Sequence, residues 1–358
     1  MTTDTTEITT LPNGLRVISE TMPRLQTAAL GVWVDVGARY ETTEVNGVAH
    51  LLEHMAFKGT GTRSARAIAE EIENVGGSIN AYTAREHTAY YARVLAEDVP
   101  LAADIVADIL QHSTFDPGEL EKERHVVLQE IGQVQDTPDD LVFDLFQEAA
   151  YPGQAMGRSI LGPEAVVGRL PREALIDYMA RHYGASRMIL AGAGRIEHDR
   201  LVELAERLFR DLPATSGSAP EPARYRGSHV LDRRKDLEQV HLCLGVEGLS
   251  LTDPDYYALQ VFSTALGGGM SSRLFQEVRE NRGLCYSVYS FAASYCDTGL
   301  LGIYAGTGGK EVAELIPVVA EETLKLATAP SEEELRRARA QLKAGLLMSL
   351  ESCSAVCE

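Results

Sequence analysis

His50-Leu51-Leu52-Glu53-His54 gathers three groups that handle metals and protons into five residues. An α-helix turns roughly 100° per residue, so positions i, i+3 and i+4 share one face. His50, Glu53 and His54 therefore point together. Val48, Leu51, Leu52 and Met55 fall on the opposite side and can anchor the helix in a core. Two imidazoles one turn apart can bind one zinc ion. A glutamate beside them can hold water and take its proton. The competing explanation is an ordinary amphipathic helix with a polar outer face.

Catalytic zinc needs a third protein ligand and an open position. The segment 117–135 reads as a helix with an apolar stripe of Leu120, Val127, Ile131 and Val134. Glu123 and Glu130, two turns apart, lie on or beside that stripe. An acid on a buried face needs a partner, and a metal or its histidine ligands would serve. The plainer account pairs each acid with Lys122 or Arg124.

The combination resembles a known family. His-x-x-Glu-His, with Glu130 lying 76 residues after His54, is similar to the inverted-zincin motif of pitrilysin-family zinc peptidases. The nearest branch is that of the bacterial proteins resembling the mitochondrial processing peptidase. Gly47-Val48-Ala49 before the motif, Met55-Ala56-Phe57-Lys58-Gly59-Thr60 after it, and Val126-Val127-Leu128-Gln129-Glu130-Ile131 agree with that branch. The resemblance runs from about Leu11 to Glu351.

It implies one Zn²⁺ per chain held by His50, His54 and Glu130, with Glu53 as general base and Glu123 supporting the site. It also implies that Asn80 and the Ala81 backbone grip an extended substrate, which adds as an extra strand. Arg279 and Tyr286, in Arg279-Glu280-Asn281-Arg282-Gly283-Leu284-Cys285-Tyr286, match a pair that faces the zinc from the other half of such enzymes. There Tyr286 would donate to the oxyanion and Arg279 would position substrate. Without the resemblance these two read as a solvated helix arginine and a strand tyrosine. Gly267-Gly268-Gly269 lacks the Gly-Lys-Ser/Thr ending of a phosphate loop and corresponds to the family's glycine-rich loop.

The elements that must position these residues are legible. Pro12-Asn13-Gly14 turns a hairpin between 6–11 and 15–20. Strands are expected at 28–36, 78–83, 88–95 and 187–193. Helices are expected at 46–58, 64–75, 97–112, 117–135, 138–150, 171–183 and 197–210. Residues 211–224 are rich in Pro, Ser, Gly and Ala and read as a linker. The order then restarts: a strand at 239–245, helices at 253–266 and 271–281, a strand pair at 284–294 and 299–305, and helices at 309–327 and 331–350. This strand–helix–helix–hairpin–helix–helix order repeats that of 28–135 and implies a duplication.

The expectation is an α+β protein of two homologous domains. Each would be a mostly antiparallel sheet with helices packed on one face, in a processing-peptidase/LuxS-like metallohydrolase fold. The division is a zinc-binding domain over 1–215, a linker over 216–226 and a peptidase-like domain over 227–358. The second repeat stops after its second long helix, so that domain is expected to be incomplete.

Composition narrows the function. The 358 residues carry 33 Lys plus Arg against 52 Asp plus Glu, a formal charge of −19. That excludes a nucleic-acid binder and an attachment to anionic membranes. No stretch reaches the roughly 18 apolar residues of a membrane helix. The polar start, 1–10, is neither a secretory signal nor a presequence. Five cysteines without a CxxC pair fit reduced thiols and a cytoplasmic location. The reading is a zinc endopeptidase that cuts short or unfolded peptides, basic ones preferred, inside a closed chamber. It would work as a homodimer in which each site is completed by the partner chain. The alternatives are a non-catalytic scaffold or partner subunit of such a complex, and a zinc hydrolase that does not act on peptides.

Overall fold

The computed structural model describes residues 6–214, 217–234 and 237–358. Residues 215 and 216, at the expected edge of the first domain, lie outside the described residues, as do 1–5. The chain forms two compact units that interleave in sequence. The first runs up to Gly132 and adds Ser159–Glu221 and Ser349–Glu358. The second joins Gln133–Arg158 to Pro222–Met348.

The first unit is built on a six-stranded sheet. Its strands are β1 (Thr6–Thr10), β2 (Arg16–Thr21), β3 (Thr27–Val34), β4 (Ser78–Thr83), β5 (Thr88–Leu95) and β6 (Met188–Gly194). The order is β1-β2-β6-β3-β5-β4, antiparallel except for the parallel pair β2–β6. The hairpin turn works as its residues require. Gly14 sits at φ +94°, and Asn13 Oδ1 accepts the Leu15 N–H.

Helices α1 (Val48–Ala56), α2 (Ala65–Asn74), α3 (Val99–Gln111) and α4 (Pro117–Asp136) follow, the last running on into the second unit at its C-terminal turn. Further along come α5 (Pro138–Ala150), the short α6 (Glu164–Val167), α7 (Arg172–His182) and α8 (His198–Leu208). Alternation along β3 sends Ala28, Leu30, Val32 and Val34 into one core with Leu51, Leu52, Met55, Ile105, Val127 and Leu201. Helices α3 and α8 pack on this face of the sheet, and α1 packs on β4 and α7.

Two devices hold α1 in place. Gly47 adopts φ +99° at its start, where a Cβ would lie 2.7 Å from the Leu161 carbonyl oxygen. Buried Glu41 then caps the helix: Oε2 accepts the Gly47 N–H and Oε1 accepts the Ala49 N–H, both at 2.8 Å. A carboxylate at the positive end of a helix is favourable. The following loop is tied to α3, because Asp108 Oδ2 accepts from Thr60 and Thr62 hydroxyls and from Arg63.

The second unit centres on a three-stranded antiparallel sheet of order β7-β9-β8, from β7 (Val240–Glu247), β8 (Cys285–Ser294) and β9 (Gly299–Thr307). Helices α9 (Tyr256–Gly267), α10 (Val312–Thr328) and α11 (Glu332–Ser349) belong to it. Leu266, Leu274, Val278, Ile303, Leu315 and Val319 form its core. Helix α5 packs on β7, with Phe143 stacked on Tyr304 and Phe146 edge-on to Phe291. The helix expected at 271–281 contains a π-helical stretch, Phe275–Asn281. Such stretches concentrate at functional sites.

One element was not expected from the sequence. A last helix, α12 (Cys353–Cys357), lies on the opposite face of the first unit's sheet, where Cys353 and Cys357 pack against Ala29, Ala191 and Ala193. No helix among the described residues is long and apolar enough to cross a membrane.

Candidate metal centre and active site

Helix α1 buries Val48, Leu51, Leu52 and Met55 and leaves His50, Glu53 and His54 on its other face, only partly covered. Helix α4 is fixed by buried Leu120 and Val127 and by Arg124, whose guanidinium donates to the Val167 carbonyl at 2.8 Å. The two helices bring their functional faces together. Glu130 Oε2 lies 3.7 Å from His50 Nε2 and 3.6 Å from His54 Nε2. The two imidazole rings stand edge to face, 4.7 Å apart.

These three residues are a metal-binding group by geometry, with ligand atoms all within 4.8 Å of one another. Tetrahedral zinc with bonds of about 2.0–2.2 Å separates its ligand atoms by ~3.3–3.6 Å. The two distances to Glu130 are close to that and the histidine pair lies within 4.8 Å, so the residues fit the ion. Burial, helped by the neighbouring His54, lowers the His50 pKa to about 4. His50 therefore stays in the neutral, ligating form at neutral pH.

Glu123 stands behind His54. Its Oε2 accepts from His54 Nδ1 at 3.1 Å, which leaves the His54 Nε2 lone pair facing Glu130. The other oxygen pairs with Lys58 Nζ at 2.6 Å. The plain sequence account, with Lys122 or Arg124 as partner, is corrected here. Lys122 pairs with Glu119, and Arg124 turns to Glu121 and Val167. Lys58, just past the end of α1, reaches Glu123 instead. Lys58 was not singled out from the sequence; it lies in the loop there, four residues after His54.

Losing the Lys58 charge should loosen the whole arrangement. Lys58→Met is expected to weaken zinc binding by about 10–100-fold, the range for outer-sphere partners. Lys58→Arg should stay near wild type. Competition against a chromophoric chelator measures both, and a Met variant that binds zinc as tightly as wild type would remove Lys58 from this role.

Glu53 sits half-buried next to the cluster, and burial raises its pKa, opposed by a hydrogen bond from Thr83. The Thr83 hydroxyl donates to Glu53 Oε2 at 2.6 Å. Thr83 is a second residue that sequence reasoning missed, and no local spacing signals it.

Strand β4 lies at the edge of the sheet, paired on one side only, with β5. Asn80 is exposed on this strand, and its Oδ1 accepts the Ala81 N–H at 2.9 Å. A peptide strand that takes this N–H must displace the Asn80 amide.

Arg279 and Tyr286 belong to the second unit and are brought together there. The Arg279 guanidinium lies 4.7 Å from the Tyr286 ring and 4.6 Å from the Phe275 ring. Tyr286 is 75% exposed. Cation–π contact keeps the two side chains together.

Comparison with known proteins bears on what such a centre does. The family model for insulinase, peptidase family M16, matches residues 16–164, and that for the peptidase M16 inactive domain matches 169–342. The chain is 43% identical to an uncharacterized zinc protease of Bacillus subtilis, over 96% of this chain and 84% of that protein. It is 42% identical to the mitochondrial-processing peptidase subunit beta of Lentinula edodes, over 99% of this chain and 79% of that one. Among solved structures, a protease from Helicobacter pylori superposes with a TM-score of 0.90 at 23% identity, covering 98% of this chain and 87% of that one. That likeness speaks to the fold. With both halves of the chain matched by its models and relatives above 40% identity along nearly the whole length, the protein belongs to peptidase family M16 and is a zinc metallopeptidase.

Proposed function

We propose that this protein is an endopeptidase that cuts short or unfolded peptides laid as an added strand along β4. One zinc ion per chain would be held by His50, His54 and Glu130. The observation that carries the reading is the meeting, in one unit, of three ligand atoms at zinc spacing, a neighbouring half-buried carboxylate and a sheet edge paired on one side only.

When bound, zinc polarises the scissile carbonyl and lowers the pKa of water toward neutrality. The remaining work falls to side chains. Glu123 and Lys58 hold His54 in the tautomer that offers Nε2. Glu53 takes the proton of the attacking water and delivers it to the leaving amine, so the carboxylate is regenerated in each turnover. The β4 edge supplies main-chain hydrogen bonds to the substrate, with Asn80 beside them.

In this reading Arg279 and Tyr286 act at the active site of a second copy. The Tyr286 phenol would donate to the developing oxyanion and Arg279 would position the peptide. The assembly is then a homodimer around a closed chamber, and its acidity would favour basic peptides. The five free cysteines suit a reducing compartment such as the cytoplasm.

The test uses two inactive variants, Glu53→Gln and Arg279→Ala. Each alone is expected to cut a basic, unstructured peptide poorly, with products read by mass spectrometry. Mixing them under conditions that exchange subunits should restore internal cleavage, because a mixed dimer holds one intact site. A monomer with full activity, or a mixture that stays silent after exchange, would overturn assembly in trans. Wild-type protein that binds zinc one to one but cuts no peptide would favour a non-catalytic partner subunit.

A further inference from the structure

A general base that shuttles a proton must keep one oxygen available and its carboxylate plane fixed. The structure divides the two oxygens of Glu53. Oε2 accepts the Thr83 hydroxyl at 2.6 Å, a short, charge-assisted hydrogen bond. Oε1 makes no side-chain hydrogen bond among the described residues, and the Thr83 backbone adds a hydrogen bond to the same carboxylate.

Thr83 is itself well held. It ends β4 and stands opposite Thr88 of β5. Thr88 is fully buried, and its hydroxyl donates to the Val36 carbonyl at 2.9 Å. Deeper in the same core lie the paired hydroxyls of Tyr90 and Tyr183, 3.1 Å apart and close enough to feel the Glu53 charge. They bond to each other, and among the described residues the side-chain hydrogen bond to the carboxylate comes from Thr83.

We infer that Thr83 is the positioning residue of the base: its hydroxyl fixes Glu53 Oε2 and so reserves Oε1 for the proton of the attacking water. The inference rests on the assignment of Glu53 as base made above. It has a second consequence. The strand on which the peptide would lie ends in the residue that orients the base, so one rigid element sets the register of substrate and base together. A one-residue slip of β4 would reverse its faces and lose the contact.

The test compares Thr83→Val, which keeps the β-branched shape and removes the donor, with Thr83→Ser, which keeps the donor. The hydrogen bond to a charged group predicts a fall in kcat of about 10–100-fold for Thr83→Val. KM, the zinc dissociation constant and the melting temperature should stay near wild type. Thr83→Ser should recover kcat to within about threefold of wild type. In a Glu53→Gln background Thr83→Val should cost no further kcat, since there is no longer a base to orient.

A Thr83→Val enzyme with wild-type kcat, a Thr83→Ser enzyme as slow as the Val variant, or a loss of zinc affinity in the Val variant would each overturn the inference. Should Thr83→Val not fold, Thr83→Ala is read against Thr83→Ser by the same criteria. If Glu53→Gln itself keeps full activity, the assignment of the base fails, and that outcome is distinct from failure at Thr83.

Discussion

Glu53→Gln is expected to lower kcat for peptide cleavage by about 10²–10⁴-fold while zinc stays bound at one ion per chain. The range is that of a positioned proton-transfer group. Gln keeps the size of the side chain and can still meet the Thr83 hydroxyl through its amide oxygen. It cannot take a proton near neutral pH, so the loss isolates the chemistry from the packing. The metal group should be spared, because His50, His54 and Glu130 meet one another without Glu53. Two measurements on the same sample decide the matter: the initial rate on an unstructured peptide, and the zinc content. A variant that cuts at the wild-type rate refutes the base assignment. One that loses zinc together with activity shows that Glu53 belongs to the metal set instead.

Glu130→Gln is expected to abolish stoichiometric zinc binding, with peptide cleavage lost along with the metal. Glu130 is the anionic member of the group, and its Oε2 is the atom both imidazoles approach. A neutral amide there leaves zinc with two imidazoles and no balancing charge. The weakening should therefore exceed the 10–100-fold of an outer-sphere partner such as Lys58. The fold should not suffer, because the Glu130 side chain is 37% exposed and α4 is anchored by Leu120 and Val127. Melting of the metal-free variant should match that of metal-free wild type. The wild type should gain stability on adding zinc and the variant should not, since a ligand that binds only the native state stabilises it by mass action. Equal zinc-dependent stabilisation in both proteins would move the third ligand elsewhere.

The nature of the site was legible because its signals are local. The spacing of His50, Glu53 and His54 is a property of one helix, and so is the buried side formed by Val48, Leu51, Leu52 and Met55. Helical geometry dictates both wherever that helix packs. The turn at Pro12-Asn13-Gly14 and the runs of alternating residues in β3 and β5 are local in the same way. Their observed bounds fall within a few residues of expectation.

Tertiary structure decided what the periodicity leaves open. Glu123 and Glu130 share a face of α4, yet one lies buried behind His54 and the other meets both imidazoles. Where α4 lies relative to α1 sets that difference, and that placement follows from side chains on several elements at once. The parallel pairing of β2 with β6 joins segments some 170 residues apart in the chain. The interleaving of 133–158 into the second unit is equally non-local. Lys58 and Thr83 reached their roles only when a loop after α1 and the end of β4 came beside groups placed by other elements. Sequence by itself determined which side chains could hold a metal and move a proton. The packing of two helices and one strand end decided which oxygen of Glu53 the Thr83 hydroxyl holds and what holds His54, because those contacts exist only once distant segments share a core.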